Sequence, residues 1–135
     1  MSALQHHVFY RSNPQTHVRY IHGERKEESY YLYYTFRPDG IWLSKTTDDP
    51  FLELEDFLAD LDLAAILADP DHDEPLDRNQ ELVYQAGRYI IRDGSVFLTW
   101  KHSLLEEKKR VWYFRIHASG RLATDFEEIE LDPVR

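Results

Sequence analysis

Three stretches of the chain alternate apolar and polar positions with period two around a turn signal. Residues 29–47, SYYLYYTFRPDGIWLSKTT, run aromatic and β-branched residues on both sides of Pro38-Asp39-Gly40, the composition of a β-hairpin. Pro38 pre-sets φ for a type I turn, and Gly40 suits the left-handed position that closes the loop. The loop sets a register: Arg37 opposite Ile41, Phe36 opposite Trp42, Tyr34 opposite Ser44, Leu32 opposite Thr46. One face then carries Leu32, Tyr34, Phe36 and Trp42. The other carries Tyr31, Tyr33, Arg37, Ile41, Leu43 and Lys45. Residues 87–101, GRYIIRDGSVFLTWK, turn at Asp93-Gly94, a type I′ signal. Ile91 then pairs with Val96, Tyr89 with Leu98 and Gly87 with Trp100. Residues 110–126, RVWYFRIHASGRLATDF, turn at Ala118-Ser119-Gly120, which pairs Ile116 with Leu122, Phe114 with Thr124 and Trp112 with Phe126. The first and third hairpins align loosely, as two turns of one meander do. His7–Arg11 and His17–Ile21 are shorter strand candidates separated by the turn signal Asn13-Pro14. Ile129–Leu131 extends the last strand.

The period changes in the middle of the chain. Asp49-Pro50 reads as a helix start, a capping residue followed by proline at the first helical position. Phe51, Leu54, Phe57, Leu58, Leu61, Ala65 and Ile66 recur at spacings of mainly three and four, one apolar stripe. Glu53, Asp56 and Asp60 fall on the opposite side. Asp69-Pro70 ends the helix, and DPDHDEPLDRNQ over 69–80 is a polar loop.

All three tryptophans, Trp42, Trp100 and Trp112, fall on the more apolar face of their hairpins, with Tyr34, Phe36, Tyr89 and Phe114. Antiparallel hairpins with one apolar face bury it and remove exposed edges by closing on themselves. The expected fold is therefore mainly β: an antiparallel barrel of six to eight strands, one domain over residues 1–135, with one amphipathic helix inserted mid-chain and an insert spanning about 48–81.

The segment YYLYYTFRPDGIWLSKTTDDP resembles the strand–turn–strand of lipocalin-like (calycin-type) barrels. It is most similar to the barrel at the C-terminal end of some F-box-only proteins, which carries an aromatic run, Pro-Asp-Gly and a Thr-Thr pair. Tyr30, Tyr33, Phe36, Pro38, Asp39, Gly40, Thr46 and Thr47 match, and Leu32 stands where that family has a basic residue. GRYIIRDGSVFLTWK fits the next hairpin, so the resemblance covers roughly a third of the chain. It implies a lipocalin-like fold. No F-box segment precedes the barrel in these residues, so a ubiquitin-ligase role does not come with it.

Charge divides the molecule further. Acids number 25 and bases 16, a net −9. Residues 48–81 hold thirteen acids against one base, a net −12, and the remainder is near +3. This balance argues against free nucleic acid and against an anionic membrane as partners. The 135 residues are 42% hydrophobic, too apolar for a disordered acidic tail. No cysteine is present, which excludes disulfides, thiolate metal sites and cysteine nucleophiles. Without a signal-like or membrane-spanning run, a cytoplasmic location is expected.

Two sites are expected. The first is a small apolar or aromatic ligand held in the barrel against Tyr34, Phe36, Trp42, Tyr89, Trp100, Trp112 and Phe114, with Ser44, Thr124, His22 and His102 as further polar handles inside or at a rim. The second is a basic protein docking on Glu53, Asp56, Asp60, Asp71 and Asp73 of the insert, as an inhibitor or immunity-type module would use it. Tyr31, Tyr33, Ile41, Leu43, Ile90, Phe97 and Tyr113 should face outward, partly under the helix and partly as a homodimer surface. Residues 69–80 imitate a calcium loop but place Glu74 where glycine is needed and Gln80 where a bidentate glutamate is needed. The seven histidines lack zinc spacing. No nucleophile elbow, phosphate loop or dinucleotide motif occurs. The expected protein is a binding protein with no catalytic residues, no metal and no cofactor.

Overall fold

A computed structural model describes residues 4–59, 61, 63–68, 85–100, 110–124 and 130–134. Its strands are β1 (Phe9–Ser12), β2 (Gln15–Ile21), β3 (Glu24–Phe36), β4 (Ile41–Thr47), β5 (Gln85–Arg92), β6 (Ser95–Trp100), β7 (Arg110–Ile116), β8 (Leu122–Ala123) and β9 (Glu130–Val134). Each pairs antiparallel with its neighbour from β3 to β9, and β1 closes the circle by pairing with both β9 and β3. The result is an eight-stranded antiparallel barrel, consistent with a lipocalin-like fold at the general level. The turn chemistry fixes the registers read from sequence: Phe36 faces Trp42, Tyr34 faces Ser44, Ile91 faces Val96, Tyr89 faces Leu98 and Ile116 faces Leu122.

Asn13-Pro14 does not reverse the chain, contrary to its turn signal. β1 and β2 lie along the same edge of β3, with pairs Tyr10–Tyr34 and Gln15–Tyr30 out of step by one residue. This is a bulge. Pro14 has no N–H to give; the Leu32 amide donates to the Ser12 hydroxyl instead (2.9 Å). Asn13 ends the pairing with β9 by donating its N–H to the Glu130 carbonyl and accepting the Glu130 N–H, both at 3.1 Å. Past the bulge, β2 continues against Glu24–Tyr30 only, so the two strands leave the barrel as a ribbon.

Two apolar clusters form, one on each side of the sheet wall. Inside are Leu4, Tyr10, Phe36, Trp42, Val96, Leu98, Phe114, Leu122 and Leu131. Outside, Phe9, Tyr33, Leu43 and Ala86 meet Phe57. Phe57 belongs to helix α1 (Leu54–Ala59), followed by α2 (Leu63–Ala68). The helical region is thus divided, and it begins three residues later than the apolar stripe suggests. Asp49 Oδ1 accepts the Phe51 N–H (2.8 Å) in a local turn, which uses the capping carboxylate before the helix starts. Phe51 points outward and is 81% exposed. Leu52, Leu54, Leu58 and Leu61 pack against the outer cluster.

Candidate functional site

The barrel interior is graded from one end to the other. At the end bearing the Pro38–Gly40, Asp93-Gly94 and Ala118–Gly120 turns it is solid. Phe36, Val96, Leu122 and Leu131 have no accessible surface, and Trp42, Leu98 and Phe114 at most 2%. Neither bulk solvent nor a water-sized void touches the first four. Tyr34 sits against three of these rings, 5.2 Å from Phe114, 5.9 Å from Trp42 and 6.4 Å from Phe36 between centroids. The N-terminal segment crosses this end. Leu4 is buried in the inner cluster, the Gln5 N–H donates to the Tyr10 hydroxyl (2.8 Å), and His6 Nδ1 lies 2.9 Å from the Phe36 carbonyl oxygen.

Toward the other end the inward positions change character. Strand alternation from Tyr10, Phe36, Trp42, Gly87 and Leu122 brings Ser12, Leu32, Ser44, Gln85 and Thr124 to the interior side. Ser12 and Ser44 are buried, whereas Leu32, Gln85 and Thr124 keep partial access. Tyr34 and Trp112, packed on the inner cluster, also remain partly exposed. This end therefore presents an aromatic floor with hydroxyl and amide groups around it.

The expected ligand residues divide accordingly. Phe36, Trp42 and Phe114 belong to the solid core, and Tyr34 and Trp112 lie at its accessible boundary. Tyr89 is tied to the turn end, its hydroxyl donating to the Arg37 carbonyl and its N–H to the Gly40 carbonyl; burial and the nearby Asp39 carboxylate raise its pKa. Trp100 lies in β6, and its side chain is outside the described residues. His22 is not inside or at the rim, because it forms the tip of the projecting ribbon, with φ of 52°. His102 lies outside the described residues. Gly87, on the inward face opposite Trp42, has a packing role that alternation alone does not reveal. A methyl group there would run into the Thr99 carbonyl oxygen and come within 2.6 Å of Trp42 Nε1. The edge of the indole lies against this backbone, and its Nε1–H donates to the Thr99 carbonyl (3.3 Å). A glycine inside a strand-like run is the sequence signal for such close approach.

The acidic insert is rooted by buried groups. Tyr33, with no accessible surface, donates its hydroxyl to the Asp49 carbonyl (2.7 Å) and accepts the Leu52 N–H (3.3 Å). Arg11 donates to the Pro50 carbonyl. Phe57 packs its ring 5.5 Å from Phe9, which lies 5.0 Å from Tyr33. Glu53 and Asp56 are exposed on the outer side of this anchor. Asp60, Asp71 and Asp73 lie outside the described residues, as does the calcium-like loop.

The expected outer positions also divide. Tyr33 and Leu43 are covered by the insert. Ile90 stays 61% exposed, and it lines an open depression of about 280 Å³ with Arg88, Arg92, Phe97, Thr99 and Val111. Among the described residues, no three metal-ligating side chains come together and no helix is long and apolar enough to cross a membrane. Comparison of the chain with protein-family models, with curated proteins and with solved structures gives no match in any of the three.

Proposed function

We propose that the protein is a non-catalytic, lipocalin-like binding protein that holds a small apolar or aromatic ligand at the accessible end of its barrel. The observation that carries this reading is the gradient inside the barrel. Tyr34 and Trp112 keep partial solvent access against packed rings, with Ser44 opposite Tyr34 and Gln85 and Thr124 on the same inward side by strand alternation. Such a mixture, mostly aromatic surface with a few polar groups, orients a small ligand. The matching hairpin residues Tyr30, Tyr33, Phe36 and Pro38–Gly40 support kinship of this barrel with the one in some F-box-only proteins.

The test is titration with the fluorescent probe 8-anilinonaphthalene-1-sulfonate. Leu32→Arg places a long cation at the accessible end, and Ile90→Arg does the same on the outer wall. Probe binding lost in Leu32→Arg and kept in Ile90→Arg supports the reading. The opposite pattern, or no binding by the unaltered protein, rejects it.

A second reading rests on the anchored insert. Its root is fixed by Tyr33, Arg11 and Phe57, and Glu53 and Asp56 project from it, an arrangement suited to a basic protein partner. Reversal of both charges to lysine weakens salt-sensitive capture of such a partner on this reading, and unchanged capture rejects it.

A further inference from the structure

We propose that the projecting β2–β3 ribbon is a dimerisation arm: β2 adds edge to edge, antiparallel, to β2 of a second copy of this chain. Seven pairs from Gln15–Tyr30 to Ile21–Glu24 form a regular ladder with no third strand on either side among the described residues. Every residue of this ribbon is exposed or only partly buried. A two-stranded ribbon without a core is marginal in isolation, and a long open edge is a template for another strand.

β2 lacks most of the usual guards against such pairing, and its one charged residue, Arg19, lies beside Glu28 of its own chain. It has no proline, no lysine and no internal bulge. Instead it exposes Tyr20 (72%) and Val18 (42%) on one face.

The geometry selects a second copy as the occupant. His22 and Gly23, with φ of 52° and 80°, form a two-residue turn. Ile21 and Glu24 beside it exchange hydrogen bonds, and exchange then recurs at every second pair. Ile21, Arg19, His17 and Gln15 therefore aim their backbone groups at β3, and Thr16, Val18 and Tyr20 aim theirs at the open edge. These three positions are symmetric about Val18. Two antiparallel copies centred there pair Val18 with Val18 and Tyr20 with Thr16 of the other copy, an aromatic against a β-branched residue. Each pair exchanges two backbone bonds, about six in all.

Charge agrees with this choice. The ribbon holds three bases and three acids in a chain of net −9. On the opposite face, His17 and Arg19 come into register with each other across the interface. Both already lie 3.3 Å from the Glu28 carboxylate of their own chain. The contact is small, so a weak, concentration-dependent dimer is expected.

The chain lacks cysteine, so single-cysteine variants report the register directly. Opposed Val18 positions sit about 5.5 Å apart at Cα, within disulfide range. Tyr20 positions are offset by four residues, about 14 Å. Val18→Cys should therefore oxidise to a covalent dimer at least tenfold faster than Tyr20→Cys. Sedimentation at roughly 100 µM should show a dimer for the unaltered protein, lost in Val18→Pro and Val18→Lys. Proline at this position removes only the outward N–H and leaves the β3 ladder intact. A monomer at that concentration, equal oxidation of the two cysteine variants, or a dimer that survives both Val18 substitutions overturns the proposal.

Discussion

Replacing Gly87 with alanine should be among the most damaging single-methyl changes in this protein. Gly87 does not adopt a positive φ, so backbone conformation is not the issue. The added methyl would run into the Thr99 carbonyl oxygen and lie 2.6 and 3.0 Å from Nε1 and Cε2 of the Trp42 indole. Trp42 is only 1% exposed and has no room to retreat. The carbonyl is backbone, so relief requires β5 and β6 to separate. Overpacking of this kind costs about 1–3 kcal/mol, and loss of the indole hydrogen bond to Thr99 adds about 1 kcal/mol. The expected destabilisation is therefore about 2–4 kcal/mol. At about 4 °C per kcal/mol for a domain of this size, the melting temperature should fall by about 8–16 °C. Thermal unfolding followed by circular dichroism measures it. Gly94→Ala is the control. It has φ of 76° and open space around it, so only conformational strain applies, about 1 kcal/mol. Trp42→Phe should not rescue Gly87→Ala, since the Thr99 carbonyl stays in place. A Gly87→Ala variant within 0.5 kcal/mol of the unaltered protein would refute the close approach of these strands.

Three further outcomes follow from the same contacts. Phe57→Ala should cost about 3–4 kcal/mol, because Phe57 fills the outer cluster, and chemical denaturation reads it. Tyr33→Phe should cost about 1–2 kcal/mol and speed limited proteolysis near Pro50, because two of the hydrogen bonds that root the insert end on that hydroxyl; an unchanged cleavage rate argues against the anchor. Burial raises the pKa of Tyr10 and Tyr89 in the folded chain. Their contribution is present below the unfolded value near 10 and is lost as pH rises through the higher folded values. Stability should thus decline on the alkaline side, and Tyr10→Phe with Tyr89→Phe should flatten that decline in denaturation curves taken at increasing pH.

Much of the barrel is legible in the sequence because turn chemistry is local. Pro38-Asp39-Gly40 and Asp93-Gly94 set loop length, loop length sets register, and register decides which face each aromatic residue joins. Asn13-Pro14 misleads because its role depends on strands far away in sequence. β9 and β3 flank it on opposite sides, so the proline makes a bulge where the local signal suggests a turn. The polar run Glu24–Glu28 escapes a period-two reading because a ribbon with two wet faces has no apolar face to alternate. The helix start is displaced because Asp49 caps a local turn. The candidate site is half legible. Sequence identifies its aromatic residues, but the division into packed Phe36 and Trp42 and accessible Tyr34 and Trp112 depends on where the chain crosses the barrel end. Leu4, Gln5 and His6 perform that crossing without a sequence pattern to announce it.

The central claim is that the accessible end of the barrel holds a ligand. Native mass spectrometry of the protein purified from its own host tests it most directly. The account predicts a discrete non-covalent adduct on the unaltered chain and on Ile90→Arg, released on unfolding and absent from Leu32→Arg. An adduct that persists in Leu32→Arg, or the mass of the bare chain alone from every preparation, would contradict it.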